Sequence, residues 1–342
     1  MRHCFDNAAY HQKAEGSNMK LSLKKKKEPT DRLVVDRKGN HRRQNVLTKY
    51  GAYYCMLIPL VVFLIVFCYV PMGGVVMAFQ DFRPVRGIFR SKWVGWENFE
   101  MVFEDSMFWS RLKNTVIISV LKILFTAPAP IILALLLNEV KNPAFKKTVQ
   151  TIVYMPRFIS WVILASIVRA ILDVQNGPIN NLLLAYGFID EPVLFMGSKE
   201  LFRGLLVATE VWKTMGWSSI IYLSAMTSIS PQLYEAAELD GAGRFQRMWH
   251  ITLPLIKPTF MILIIMSMGS ILSAGFDQVY AMANTAVLEV GDIIDTYVYR
   301  RGLAEMNYSY AAAVGLFKSV VSVVLVCFAN WLAKKTDNES LY

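Results

Sequence analysis

The sequence predicts an all-α integral membrane protein with six transmembrane helices. Three observations carry that expectation. The 342 residues are 54% hydrophobic and only 18% charged, whereas a soluble domain is about a quarter charged. The apolar residues are gathered into long runs, and a bilayer core needs about 20 of them per helix. Charge is concentrated at one end: residues 1–50 hold thirteen Lys or Arg against five acids, which places +8 of the net +10 there. This composition excludes a disordered chain, a collagen-like chain and a small disulfide scaffold.

Residues 1–52 form a basic tail that includes the Lys24–Lys27 run. No zinc-ligand, helix-turn-helix or stacking motif accompanies it, so nucleic acid is not the expected partner. Directly ahead of a span, it reads as a cytoplasmic anchor that also touches anionic membrane lipid. Met19, just before Lys20, is a second candidate start beside Met1. Residues 53–335 are the transmembrane domain, and 336–342 a short C-terminal tail on the cytoplasmic side.

The apolar runs are 53–79, 114–137, 152–172, 202–226, 255–277 and 308–333. The first opens on Tyr53 and Tyr54 and carries Tyr69 near its far end, aromatics of the interfacial kind. It is too long for a signal-peptide core and is read as a retained helix. With the N-terminus inside, the cytoplasmic segments hold twenty Lys or Arg and the outer loops nine, which favours both termini in the cytoplasm.

Several runs contain residues that lipid alone does not tolerate. Lys122, Pro128 and Pro130 interrupt the second, Arg169 lies in the third, Glu210 and Lys213 in the fourth, and Lys318 in the sixth. Charges at such depth face a partner helix or a water-filled cavity. Glu210 and Lys213 are three apart on one helix face, so an intrahelical ion pair and a polar pathway are both open. For Arg169 and Lys318 the simplest expectation is snorkelling toward an interface.

The loop 230–254, between the fourth and fifth runs, is unlike the others. Ser230 suits an N-cap and Pro231 the first helical position. A short helix then runs to Gly241, which can supply the left-handed residue that ends it. A second short helix is expected to stop before Pro254. Ala236, Ala237 and Ala242 let a partner surface approach closely, while Glu235, Glu238 and Asp240 offer charged contacts. An amphipathic helix lying in the interface is the alternative on these residues alone.

The string Glu235-Ala236-Ala237, then Asp240-Gly241-Ala242, then Ile251, Leu253-Pro254 and Pro258, resembles the EAA loop of ATP-binding-cassette importer permeases. Met248 stands where that family often has Phe. Three further stretches resemble the carbohydrate-type subgroup, which serves oligosaccharide and polygalacturonate systems. They are Trp93-Val94-Gly95-Trp96-Glu97-Asn98-Phe99, Ala127-Pro128-Ala129-Pro130 through Leu137-Asn138-Glu139-Val140, and Tyr154-Met155-Pro156-Arg157-Phe158-Ile159-Ser160-Trp161. The resemblance covers about residues 50 to 335. It implies a six-helix type I importer permease fold with a cytoplasmic coupling helix. It also implies the partners: a second permease as a heterodimer, two ATPase subunits, an extracytoplasmic solute-binding protein and a carbohydrate substrate. Glu235, Ala236, Ala237, Asp240, Gly241, Ile251, Leu253 and Pro254 are then coupling elements toward the ATPase, with ATP and Mg bound by that partner and no cofactor on this chain.

The residues support that division of labour. The chain has no G-x-x-x-x-G-K-[ST] loop, and no Gly-Lys dipeptide at all, to cradle ATP phosphates. It has no G-x-S-x-G elbow and no H-E-x-x-H, so no catalytic residues are expected and the protein is read as a non-enzyme. Cys4, Cys55, Cys68 and Cys327 form no C-x-x-C pair, and the four histidines lack metal-ligand spacing, so no metal site is expected.

Transporter sites commonly lie near the bilayer midplane. Glu210, Trp212, Lys213, Trp217 and Tyr222 of the fourth run, with Asp277 and Gln278 at the end of the fifth, are the candidate substrate pathway. Sugars favour aromatic faces and hydrogen-bonding groups; helix packing and the interfacial belt also account for the aromatics. Asn176-Gly177-Pro178-Ile179-Asn180-Asn181 reads as an outer turn, open to a role in docking the binding protein or to a plain re-entrant loop. Alternatives to a carbohydrate permease are an importer permease for another solute, a stand-alone secondary transporter and a membrane-anchored scaffold. No internal repeat supports the transporter, and the deep charges argue against the scaffold.

Overall fold

The computed structural model describes residues 34–35, 41–42 and 46–337. Most of the basic tail, including Met19 and the Lys24–Lys27 run, and residues 338–342 lie outside them. The chain divides into two compact units, residues 1–71 and 72–342. The first holds a two-residue antiparallel pair, β1 (Val34–Val35) and β2 (His41–Arg42), and most of α1 (Tyr50–Phe79). This helix carries a π-turn at Ile65–Tyr69 and ends in 3-10 turns from Gly73. It is apolar all the way round, the pattern of a helix surrounded by lipid.

The second unit begins with an antiparallel pair, β3 (Gln80–Asp81) and β4 (Lys92–Trp93), and a short helix, α2 (Glu97–Glu104). Helices α3 (Ser106–Thr126) and α4 (Pro128–Glu139) form one 34-residue span. Their junction at Ala127 is where Pro128 takes the first helical position, so its missing N–H costs little. Asp105 caps α3 by accepting from the Met107 amide at 2.9 Å. Next come α5 (Pro143–Phe158) and α6 (Trp161–Ile171), bent by 105° at the break. Asn142 caps α5 through the Ala144 and Phe145 amides, and Ser160 caps α6 through the Ile163 amide. After α7 (Pro178–Ala185) the chain enters α8 (Lys199–Thr227), 29 residues long. Then follow α9 (Pro231–Leu239), α10 (Arg244–Gly269), α11 (Phe276–Met282), α12 (Ile294–Tyr299) and α13 (Tyr308–Asp337).

Among the described residues four helices are long and apolar enough to cross a membrane, or five if the bent α5/α6 pair counts as one span. The third expected span is therefore a bent pair rather than a straight helix. The fourth is α8, which is long enough but too polar for lipid alone. It instead runs through the protein, packed against α3, α4, α5 and α10. Its first half buries Phe202 and Leu206 with Ile118, Leu164, Val168 and Met282. Its second half buries Tyr222, Leu223 and Met226 with Ala134, Leu137 and Ile256. A third cluster joins Phe99, Val102 and Phe108 to Tyr297, Tyr310 and Val314.

The fifth expected span is displaced. The apolar run spans 255–277, with a break expected before Pro254, but the helix runs continuously from Arg244 to Gly269. A π-turn at Met248–Thr252, closed by the Leu253 amide on the Met248 carbonyl, widens the backbone just ahead of the proline. The ring of Pro254 is thereby accommodated without ending the helix. At the other end the helix stops at Gly269, because residues 270–275 turn away through left-handed Ala274 and Gly275.

Lys318, expected to snorkel, is paired instead: from α13 it reaches Asp295 of α12 at 2.5 and 2.7 Å. Arg169 is exposed and makes one long hydrogen bond, to the Ala281 carbonyl at 3.4 Å. Asp292, 1% exposed, accepts from Arg111 at 2.6 Å, from Thr296 at 2.7 Å and from Arg300 at 2.5 and 3.0 Å. Burial alone would raise the Asp105 carboxyl, but hydrogen bonds from Tyr297, Tyr310 and the Met107 amide outweigh it and hold the group below the usual carboxylate range. The expected outer turn around Asn176 is clamped from within: Asn180, wholly buried, bonds the Asp173 carbonyl and both the carbonyl and amide of Val193.

Lys213 explains the bend. It lies buried on α8 and donates to the carbonyls of Ile159 and Pro156, over the Trp161 ring at 5.0 Å. The Ile159 carbonyl belongs to the break itself, where no following helical turn satisfies it, while the Pro156 carbonyl also accepts from the Ile159 amide at 3.2 Å. Lys213→Met should therefore loosen the bend locally. Hydrogen exchange over residues 155–164 should quicken about tenfold, while α13 keeps its protection.

Candidate functional site

Two features of the second unit stand apart from the packing core. The first is the helix–elbow–helix of α9 and the start of α10. Helix α9 ends in a Schellman motif: the Ala242 amide reaches the Ala237 carbonyl at 2.8 Å and the Gly241 amide the Glu238 carbonyl at 3.1 Å. Gly241 has φ +80°, a conformation that costs glycine nothing and a β-branched residue a great deal. Gln246 then reaches back to the Gly243 amide at 2.8 Å, fixing the start of α10. Glu238 and Arg247 bridge the two helices at 2.8 Å, and Tyr234 and Thr252 share a hydrogen bond of 3.0 Å. Between them lies a groove of about 350 Å³ lined by Ala237, Asp240, Gly241 and Ile251, with Gln246 and His250.

Three large apolar side chains stand out from this otherwise polar knob. Leu239 is 89% exposed, Phe245 77% and Trp249 64%. Of the sequence-predicted coupling residues, Glu235, Ala236, Asp240, Gly241 and Pro254 are exposed, while Ala237, Ile251 and Leu253 are half-buried. All eight lie on this one element. Leu239, Phe245 and Trp249 were not singled out from the sequence, although three large apolar residues in a polar loop are a readable signal.

The second feature is a cavity of about 560 Å³ between α3, α8 and α10. Each helix contributes polar residues: Ser119, Lys122 and Thr126 from α3, Glu210, Thr214 and Ser218 from α8, and Ser267 from α10, with Ser270 and Ser273 in the turn that follows it. Only Glu210 and Tyr222 of the predicted pathway line it. Trp212 and Trp217 are exposed, Trp217 stacking edge-on against Phe158 at 5.8 Å. Lys213 is at the α5/α6 bend, and Asp277 is exposed in the first turn of α11 rather than at a span end. Gln278 is wholly buried and donates to the Leu206 carbonyl at 2.7 Å and to Thr209 at 2.8 Å. Spacing of hydroxyls along three apolar runs was the signal that would have located the cavity.

The Glu210–Lys213 pair that helix geometry allowed is not formed. Glu210 turns instead to Lys122 on α3, 3.3 Å away. The same ammonium donates to the Ala274 carbonyl at 2.7 Å and to the Gln278 amide oxygen. Ala274 and Gly275 are both left-handed, at φ +46° and +82°. A Cβ on Gly275 would sit 2.7 Å from the Lys122 nitrogen, so the turn closes over the lysine only because that position is glycine. Lys122→Met should strand Glu210 and two buried oxygens. Thermal unfolding in detergent should report a loss of about 3 kcal/mol. Adding Glu210→Gln to the same chain should recover part of it.

Residues 128–338 match the family described as binding-protein-dependent transport system inner membrane component. The chain is 45% identical over 315 residues to the polygalacturonan/rhamnogalacturonan transport system permease protein YteP of Bacillus subtilis (strain 168), covering 92% of this chain and 98% of that protein. It is 45% identical over 289 residues to protein LplB of the same organism, covering 84% and 90%. Its fold is similar, with a TM-score of 0.79 and 38% identity, to a chain of the bacterial alginate ABC transporter solved in complex with an alginate pentasaccharide-bound periplasmic protein. That likeness covers 86% of this chain and 98% of the solved one.

Proposed function

The chain belongs to the family of binding-protein-dependent transport system inner membrane components, a transport component and not an enzyme, and from that premise we propose that it forms one half of the membrane path of a carbohydrate importer. The relatives named above carry, in their names, polygalacturonan, rhamnogalacturonan and alginate. The cavity between α3, α8 and α10 suits such a cargo, its lining including serine and threonine hydroxyls, the Lys122–Glu210 pair and Tyr222. An oligosaccharide is the substrate class that hydroxyl-rich lining favours, because each sugar hydroxyl left unpaired in a confined site is costly.

The observation that carries the coupling role is the knob. A rigid elbow with Leu239, Phe245 and Trp249 exposed is an anchor for another protein. In this reading α9 and the start of α10 seat in a separate ATPase subunit on the cytoplasmic side, which binds ATP and Mg. Glu235, Ala236, Ala237, Asp240 and Gly241 form the contact, and Ile251, Leu253 and Pro254 pass it into α10. Both termini then lie in the cytoplasm, as the Lys and Arg distribution favours. A second permease completes the path, two ATPase subunits drive it, and an extracytoplasmic binding protein delivers the sugar. Residues 1–52 serve as the basic anchor, 53–335 as the permease domain and 336–342 as a short tail.

Mass spectrometry of gently solubilised, C-terminally tagged protein should recover a second permease and an ATPase. Gly241→Val should leave the chain inserted in the membrane but reduce substrate-stimulated ATP hydrolysis by about tenfold or more, since it breaks the left-handed elbow. Undiminished stimulation in that variant would remove the docking role from the knob.

A further inference from the structure

The stretch that joins α1 to α2 is a hydrogen-bonded hairpin with a basic and apolar tip. Strands β3 and β4 pair Gln80 with Trp93 and Asp81 with Lys92. Between them the Arg86 and Gly87 amides reach the Arg83 carbonyl at 2.9 and 3.1 Å, and one helical turn follows at Gly87–Arg90. The Ser91 hydroxyl donates to the Gly87 carbonyl at 2.7 Å and accepts from the Arg83 amide at 3.2 Å. The base is fixed to the last turn of α1: the Val94 amide reaches the Phe79 carbonyl at 2.9 Å, and Asn98 donates to the Ala78 and Gln80 carbonyls at 2.9 and 3.1 Å. Val85 and Phe89 stand fully exposed on this frame. Arg86, Arg90 and Lys92 are exposed too, and among the described residues no carboxylate pairs with them, whereas Arg83 is paired with Asp81 at 3.2 Å. Trp93 and Trp96, both exposed, flank Phe79, one stacked on its ring and one edge-on, each at 5.6 Å.

We propose that this hairpin is a lipid-binding element: Val85 and Phe89 enter the leaflet at the C-terminal end of α1, and Arg86, Arg90 and Lys92 bind the phosphates of anionic phospholipids there. The 30 residues Tyr50–Phe79 cover about 45 Å, the thickness of a bilayer with its headgroups, so the hairpin leaves α1 at headgroup level. Trp93 and Trp96 are the kind of aromatic that favours that depth. A fully exposed phenylalanine beside a bilayer gains by burying its ring, and cations without carboxylates gain by meeting phosphates. Each basic residue near an anionic surface strengthens binding about fivefold, so three of them favour it over a neutral surface by roughly a hundredfold. The hairpin also holds four of the nine Lys and Arg that the favoured orientation places outside, Arg83, Arg86, Arg90 and Lys92. Outer loops are ordinarily poor in such residues, and a lipid role accounts for the excess. A soluble acidic partner would satisfy the cations alone; the tryptophans and the headgroup-level position favour lipid.

The proposal goes beyond the carbohydrate reading and holds whichever solute is carried. The test uses the full chain carrying Cys4→Ala, Cys55→Ala, Cys68→Ala and Cys327→Ala, with a nitroxide placed at Phe89→Cys or, as a second position, at Val85→Cys. Both side chains are so exposed that neither change removes a packing contact. In nanodiscs, collisions of the label with oxygen, which concentrates in the bilayer, are compared with its collisions with a water-soluble nickel chelate. In equal parts phosphatidylglycerol and phosphatidylcholine both labels should meet oxygen more often than nickel. The oxygen-to-nickel ratio should be at least about threefold higher there than in phosphatidylcholine alone. About 0.5 M salt should remove most of that difference. Arg86→Gln, Arg90→Gln and Lys92→Gln together should abolish it. An equal ratio in the two lipid compositions, or a difference that persists in the triple variant, would overturn the headgroup contact. Labels that stay in water in both compositions would overturn the insertion and leave the patch to a soluble acidic partner.

Discussion

One buried ammonium sets the conditions for much of this molecule. Lys122 lies within the span formed by α3 and α4, where an unpaired charge is not sustainable, and its acceptors come from three places in the chain. Glu210 comes from α8, the Ala274 carbonyl from a left-handed turn, and Gln278 from α11. Gln278 in turn ties α11 to Leu206 and Thr209 of α8. Removing the lysine would leave an acid and two buried oxygens without a partner, so α3, α8 and the 270–278 segment are held in a single arrangement. The cavity exists where it does because these three elements converge on one charge and cannot close further.

A second constraint runs through α8. A helix that is long enough to span but carries Glu210 and Lys213 at mid-length cannot face lipid, so it must be wrapped by others. It gathers α3, α4, α5 and α10 around itself. Its two charges point to different jobs: Glu210 to the cavity wall, Lys213 to the open Ile159 carbonyl at the α5/α6 bend. Their spacing of three, which alone allows a mutual pair, is overridden because each has an outside partner in a place that needs it.

The general architecture was legible in the sequence because long apolar runs have few physical solutions in a bilayer. The α9 elbow was legible for the same kind of reason: Pro231, Gly241 and the intervening alanines specify a short helix and a left-handed stop. Other features depended on distant contacts. Pro254 looked like a terminator, but the π-turn at Met248–Thr252 absorbs it. Lys318 looked like a snorkelling residue, but Asp295 sits within reach across the fold. Gln278 looked like part of a polar pathway, but it is a wholly buried brace. The hydroxyl faces of three helices each carried a weak periodic signal, and only their convergence in space makes them one wall.

The continuity of α10 has a mechanical meaning. The helix begins in the knob, at Phe245 and Trp249, and ends in the cavity wall, at Ser267 and just short of Ser270. About 20 residues separate the two regions, a lever arm of about 30 Å. Had Pro254 ended the helix, the two regions would be joined by a hinge, and the angle of one would be independent of the other. Joined as a rod, a tilt of about 10° at the knob displaces the far end by about 5 Å, the length of a single sugar ring. The π-turn that carries the helix past Pro254 is thus what joins the knob to the cavity wall in one helix.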